Sequence, residues 1–295
     1  IFLAMFALFT FFSGRFIDKM GPRIVMMFGG IVVGVGWILT YFASSMTMVV
    51  ITYGIIGGAG VGIVYGGPVS VATKWFPDKK GLAVGLSLLG FGASAFVTAP
   101  LAKNLIAAYS NNPLPAFGIM GIGFLIVTVI LSMFMKFPPA GWLPSGWTPP
   151  QTAGGGVAKS FTAGEMLKTS SFYGLWLCYT IGTIAGLMAI GISATVGREV
   201  IGLDVGTAAF LVSIFAIFNG IGRPIFGTLS DKITPKYAAI LSFVIIGIAS
   251  FMMLGAGQGS TLLYAVAFCG FWLCLGGWLA IGPAATASFF GLEGY

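Results

Sequence analysis

Nine apolar runs, eight of them about as long as a bilayer is thick, leave this chain little to become except a set of membrane-crossing helices. A crossing helix needs about 20 mainly apolar residues, because each adds about 1.5 Å. The runs 24–43, 47–73, 81–102, 114–136, 172–193, 206–228, 237–257 and 261–286 satisfy that, and Ile1 to Phe12 adds a shorter one at the start. With 58% apolar and 7% charged residues, no histidine and a mean hydropathy of +1.03, a water-soluble globular domain is excluded. An all-α integral membrane fold with about nine spans is expected.

The few charges report topology. Arg15, Lys19, Arg23, Lys74, Lys79, Lys80, Lys136, Lys159, Lys168, Lys232 and Lys236 fall in alternate connections, whereas the intervening connections hold only Lys103 and Arg198. The positive-inside rule places the basic set on the cytoplasmic side, so the net charge of +7 reflects orientation and calls for no nucleic-acid partner. Cys178, Cys269 and Cys274 lie in apolar stretches without a C-x-x-C pair, which supports neither a metal site nor a disulfide framework. No cofactor is expected. The chain opens inside an apolar run, without a methionine or a signal-peptide pattern, and reads as an internal fragment.

Residues 137–171, with PPAGWLPSGWTPPQTAGGG, form the longest polar stretch and read as a linker between an N-terminal half, 1–136, and a C-terminal half, 172–295. A repeat crosses it. Gly14-Arg-Phe-Ile-Asp18-Lys19-Met-Gly21-Pro22-Arg23 returns 213 residues later as Gly227-Thr-Leu-Ser-Asp231-Lys232-Ile-Thr-Pro235-Lys236. Six spans lie within that offset, so the parent is a pair of parallel six-helix halves, one of the transporter repeat types. The fragment then holds helices 2 to 10 of twelve.

The G-x-x-x-D-K-x-G-P-R loop resembles the signature loop of the major facilitator superfamily. Lys74-Trp-Phe-Pro-Asp-Lys-Lys-Gly81-Leu-Ala-Val-Gly85, Gly58-Ala-Gly-Val-Gly-Ile-Val-Tyr-Gly66 and Gly164-Glu-Met-Leu-Lys-Thr resemble its oxalate/formate antiporter branch. Physically, Gly14 and Gly21 allow a tight turn, Pro22 suits the first turn of the next helix, and Asp18 can face a helix N-terminus. The resemblance implies that this aspartate pairs across the halves when the cytoplasmic gate is shut; a purely topological turn is the alternative. The second copy departs from the pattern at Thr234, where the first has Gly21.

Gly54, Gly58, Gly62 and Gly66 recur every four residues, giving one helix an edge free of side chains for close packing. Gly90, Ser94, Thr98 and Ala102 continue the theme in the span 81–102, as do Gly182 and Gly186 in 172–193. The GxG within the first stretch follows no strand and precedes no suitably placed acid, so it is not a dinucleotide loop.

Arg223 is the one charge well inside a span, and all seven acids, Asp18, Asp78, Glu165, Glu199, Asp204, Asp231 and Glu293, lie in connections or at the end. An intramembrane guanidinium is costly to bury and offers a fork for a carboxylate. Phe218-Asn219-Gly220-Ile-Gly222-Arg223-Pro224 resembles the branch's substrate-contacting segment; a snorkelling structural arginine is the alternative. The resemblance also makes Tyr65 a cavity residue and places a cavity tryptophan on the helix of Trp272 and Trp278, although Leu275 rather than either indole falls in register. Phe6 and Thr10 stand where oxalate exchangers carry glutamines.

These features imply a secondary transporter for a small organic anion, acting in a prokaryotic inner membrane, as a monomer within the lipid bilayer, by alternating access and anion exchange. Proton-coupled monocarboxylate symport and a receptor or sensor of the same fold are the alternatives. An enzyme is not expected, because the spans carry no acid–base or metal-ligating cluster.

Overall fold

The computed structural model describes residues 1–139, 141–146 and 161–291, with only the backbone described at 93, 95, 96, 99 and 163. The linker residues 147–160 and the last four residues therefore lie outside the described part. The described chain is all-helical. Its long helices are α1 (Phe2–Met20), α2 (Pro22–Tyr41), α3 (Met46–Trp75), α4 (Lys80–Ala108), α5 (Leu114–Ser132), α6 (Ser170–Val200), α7 and α8, which are the arms 205–233 and 235–254 of Val205–Leu254, and α9 (Thr261–Phe290). The nine apolar runs thus map onto nine helical arms.

Six described helices, counting Val205–Leu254 as one, are long and apolar enough to cross a membrane. α1 extends past its apolar run to take in Arg15, Asp18 and Lys19, and α4 carries a shorter apolar stretch, Lys80–Gly92. Outward faces are greasy. Ile122, Ile126 and Ile130 on α5 and Trp176, Ile181, Leu187 and Met188 on α6 are each at least half exposed, an apolar surface suited to a lipid surround. The protein is multi-pass in a membrane.

Two compact units divide the described chain, one of residues 1–75 and 97–145, the other of 76–96 and the described residues from 146 onward. In the first, α1 packs along α3, and α2 packs against α3 and α5. Gly54, Gly58, Gly62 and Gly66 all turn toward α1: a Cβ on Gly58 would reach the Phe2 carbonyl oxygen at 2.6 Å, one on Gly66 the Ile17 side chain at 3.3 Å, and Ser13 donates to the Gly62 carbonyl at 3.4 Å. Thr40 and Thr52 join α2 to α3 by a buried hydroxyl pair at 2.9 Å.

In the second unit α9 is the buried centre. Phe215, Tyr264, Phe268 and Trp272 form one aromatic core, and Phe226, Ala238, Cys274, Trp278 and Ile281 another. The Tyr264 hydroxyl donates to the Ser193 carbonyl at 2.7 Å, tying α9 to α6. Backbone meets backbone where Gly222 lies on Leu273 and Gly276 on Asn219, the close approach that small residues permit in lipid.

The two copies of the repeated loop share a backbone. Gly21 (φ 82°, ψ 157°) links α1 to α2, and Thr234 (φ 74°, ψ 150°) links α7 to α8. Proline follows in each case at the start of the next helix. Gly14 and Gly227, in contrast, lie inside helices. The expected turn-forming role of Gly14 is therefore corrected: the helix runs on through the charged residues, and Gly21 alone makes the turn.

Candidate functional site

α7 begins at the N-cap Asp204, whose carboxylate accepts from the Thr207 amide at 3.0 Å and the Thr207 hydroxyl at 2.5 Å. These two bonds, the hydroxyl first, hold the Asp204 carboxyl below its ordinary range. From that start the 3.6-residue period brings Asn219 and Arg223 to one face, one turn apart. Arg223 is 2% exposed. Its guanidinium donates to Asn219 Oδ1 at 3.2 Å and to the Leu88 carbonyl of α4, and lies 5.3 Å from the Phe91 ring centroid.

Space for that side chain comes from α4. Gly81 lies on Gly227, a Cβ on Gly85 would fall 2.5 Å from the Arg223 carbonyl oxygen, and one on Gly92 would fall 3.0 Å from the guanidinium carbon. This 81/85/92 edge of α4 is the one pressed against α7. Gly90, on the edge expected from sequence, has nothing within 4 Å. Leu88 was invisible to sequence reasoning because its main-chain oxygen, not its side chain, is the acceptor. Asn219 was legible, as the residue four places before a buried arginine.

The two signature-loop copies do different work. In the first, Asp18 pairs with Lys74 at 2.8 Å, and the same ammonium lies 3.9 Å from the Phe137 ring centroid. Lys19 and Arg23 are exposed. In the second, Asp231 accepts from the Gly81 and Leu82 amides at 2.8 Å each, so it caps α4 against the positive end of that helix. Lys80 donates to the Ala287 carbonyl in the last turn of α9 at 3.4 Å, the complementary charge at a helix C-terminus. Lys232 beside them is exposed. The arrangement expected for Asp18, a carboxylate on a helix N-terminus, is made here by Asp231.

The other candidates scatter. Tyr65 is half-buried in the first unit, edge-on to Phe6 with centroids 5.1 Å apart. Trp272 is 7% exposed against Phe215, and Trp278 is fully buried between Phe243 and Tyr179, with its indole over Gly182. Leu275 is likewise buried and rests on Gly186. The structure gives both indoles packing positions in the cores of the second unit. No group of three or more metal-ligating side chains occurs among the described residues.

Comparison with known proteins agrees with this architecture. The chain is similar to the oxalate:formate antiporter of Oxalobacter formigenes, 33% identical over 283 residues, spanning 95% of this chain and 64% of that protein. It is also similar to monocarboxylate transporter 13 of Rattus norvegicus, 28% identical over 254 residues, spanning 84% of this chain and 55% of the relative. The solved structure of the transporter FucP in its outward conformation superposes with a TM-score of 0.64 at 16% identity, covering 97% of this chain and 76% of that one, a likeness of fold alone. The sequence model of the Major Facilitator Superfamily matches residues 1–292, and the chain belongs to that superfamily.

Proposed function

We propose that this protein carries a small organic carboxylate across a membrane by alternating access, exchanging one anion for another, with the substrate held by Arg223. The observation that carries this reading is a guanidinium 2% exposed at the α4–α7 contact, whose acceptors include two neutral groups, the Leu88 carbonyl and Asn219. A carboxylate would replace neutral acceptors with a charge-assisted, two-pronged pair, roughly twice as strong per bond. Relatives whose names specify oxalate, formate and monocarboxylates support the substrate class. Oxalate, formate and lactate-like anions all satisfy the chemistry.

Asp231 on the N-terminus of α4 supports a gating role for the second loop, on the side where the basic connections lie and which the charge pattern assigns to the cytoplasm of a prokaryotic inner membrane. No Asp, Glu or His lies well within an apolar run to carry a proton, which favours exchange over proton-coupled symport.

Uptake of labelled oxalate, formate and lactate into proteoliposomes tests the reading. Arg223→Ala abolishes exchange, and Arg223→Lys does as well, because an ammonium cannot reproduce the fork; normal exchange by the alanine variant overturns the assignment. Counterflow persists without a pH gradient if the protein is an exchanger. Strict dependence on an imposed gradient would establish symport instead.

A further inference from the structure

A cleft of about 510 Å³ opens in the first unit between α1 and α2 and is floored by Ile63 of α3. Its walls include Phe12, Phe16 and Met20 of α1 and Ile24 and Phe28 of α2, each about half exposed, and its single polar lining residue is Ser13. The volume is that of a small-molecule site. The lining, however, offers nothing to orient a polar ligand, and the Ser13 hydroxyl is already spent on the Thr10 and Gly62 carbonyls. Charge lies beside the lining toward the α1–α2 turn, with exposed Arg15 next to Phe16 in sequence. Met20 and Ile24, the lining residues at the α1–α2 turn, are flanked in sequence by Lys19 and Arg23, both exposed and neither in an ion pair among the described residues, while the neighbouring Asp18 is committed to Lys74.

An apolar cleft along two helices, with two exposed cations next in sequence to its lining residues at the α1–α2 turn, is complementary to an amphiphile with a long hydrocarbon tail and an anionic head. We propose that this cleft is a binding site for one acyl chain of an anionic phospholipid, with its phosphate held by Lys19 and Arg23 at the membrane surface. The phenylalanine walls match an acyl chain in polarity and pack against it by van der Waals contact, and the headgroup cations add selectivity for negative charge. The lipid then bridges α1 and α2 beside the Gly21 turn, joining two helices that otherwise meet each other over a short length.

Native mass spectrometry of the detergent-purified protein, after exposure to palmitoyl-oleoyl phosphatidylglycerol or to the matching phosphatidylcholine, tests this. Phosphatidylglycerol is retained at least tenfold better than phosphatidylcholine, since two surface cations at about fivefold each set that order. Lys19→Gln with Arg23→Gln brings the two lipids level, Lys168→Gln leaves the preference intact, and Phe28→Ser weakens retention of both. Should the double variant fail to give a monodisperse, helical species, raising salt from 0.05 to 0.5 M with the unaltered protein erodes the preference in its place. Equal retention of the two lipids by the unaltered protein, a preference that survives the double substitution or the added salt, or equal competition by glycerol phosphate without acyl chains would overturn the site.

Discussion

Thr234 stands in a backbone conformation that β-branched residues rarely adopt, and the reason lies in its repeat partner. The φ of +74° copies the +82° of Gly21, so the second loop keeps a geometry for which its residue is unsuited. Strain of this kind is worth about 1–3 kcal/mol, and the extra freedom glycine has in the unfolded chain returns about 0.4–1 kcal/mol. Strain wins. Thr234→Gly raises stability by about 1 kcal/mol in thermal unfolding of the detergent-solubilised protein, and an unchanged or lowered midpoint contradicts the strain.

Asp204 gives a pH signature at the same scale. Its carboxyl, held below the ordinary range by the Thr207 hydroxyl and then the Thr207 amide, binds its proton less tightly folded than unfolded. Its stabilisation is therefore complete above the ordinary carboxylate value of about 3.9, and is lost as pH falls through that value and then the lower folded one. Asp204→Asn keeps the cap but not the charge. The melting-point gap between this variant and the parent is widest near neutral pH and closes in acid; a gap that is constant with pH contradicts the assignment.

Among the elements, the glycine edges decide which helices touch, and spacing alone did not say which edge would be used. The 54/58/62/66 edge of α3 was readable as a smooth ridge, and it faces α1. In α4 two small-residue edges compete, and the one through Gly81, Gly85 and Gly92 meets α7 while Gly90 faces open space. Gly85→Ala therefore forces the α4 and α7 backbones apart and costs about 1–3 kcal/mol. Gly90→Ala is neutral or gains up to about 1 kcal/mol of helix propensity. Equal unfolding midpoints for the two variants would remove the basis for this packing.

Over the molecule as a whole, the duplicated loop has diverged into one copy that neutralises a lysine within its own unit, Asp18 with Lys74, and one that caps α4 with Asp231. Asp231→Ala strips two amides of a charged acceptor and lowers stability by about 0.5–2 kcal/mol. If the capped α4 is the shut gate, the same variant also raises the reactivity of a cysteine placed at Leu82 toward a membrane-impermeant maleimide. Unchanged labelling would separate the structural cap from gating.

Hydropathy determined the spans by itself, because a bilayer imposes its thickness on every crossing segment independently of the others, and the residues of the duplicated loop carried the repeat and the resemblance to the superfamily. Those rules act along the chain and are written in it. They also made Arg223 conspicuous, since a lone charge among apolar residues needs no neighbours to be noticed. What α4 supplies to Arg223, the Leu88 carbonyl and the room left by Gly85 and Gly92, was settled only by the fold. So were the burial of Trp272 and Trp278 and the transfer of the helix-capping role from Asp18 to Asp231. A main-chain acceptor, the absence of a side chain and the face a helix turns inward are properties of the partner brought alongside, and residues more than a hundred positions apart acquire that partner only when the helices pack.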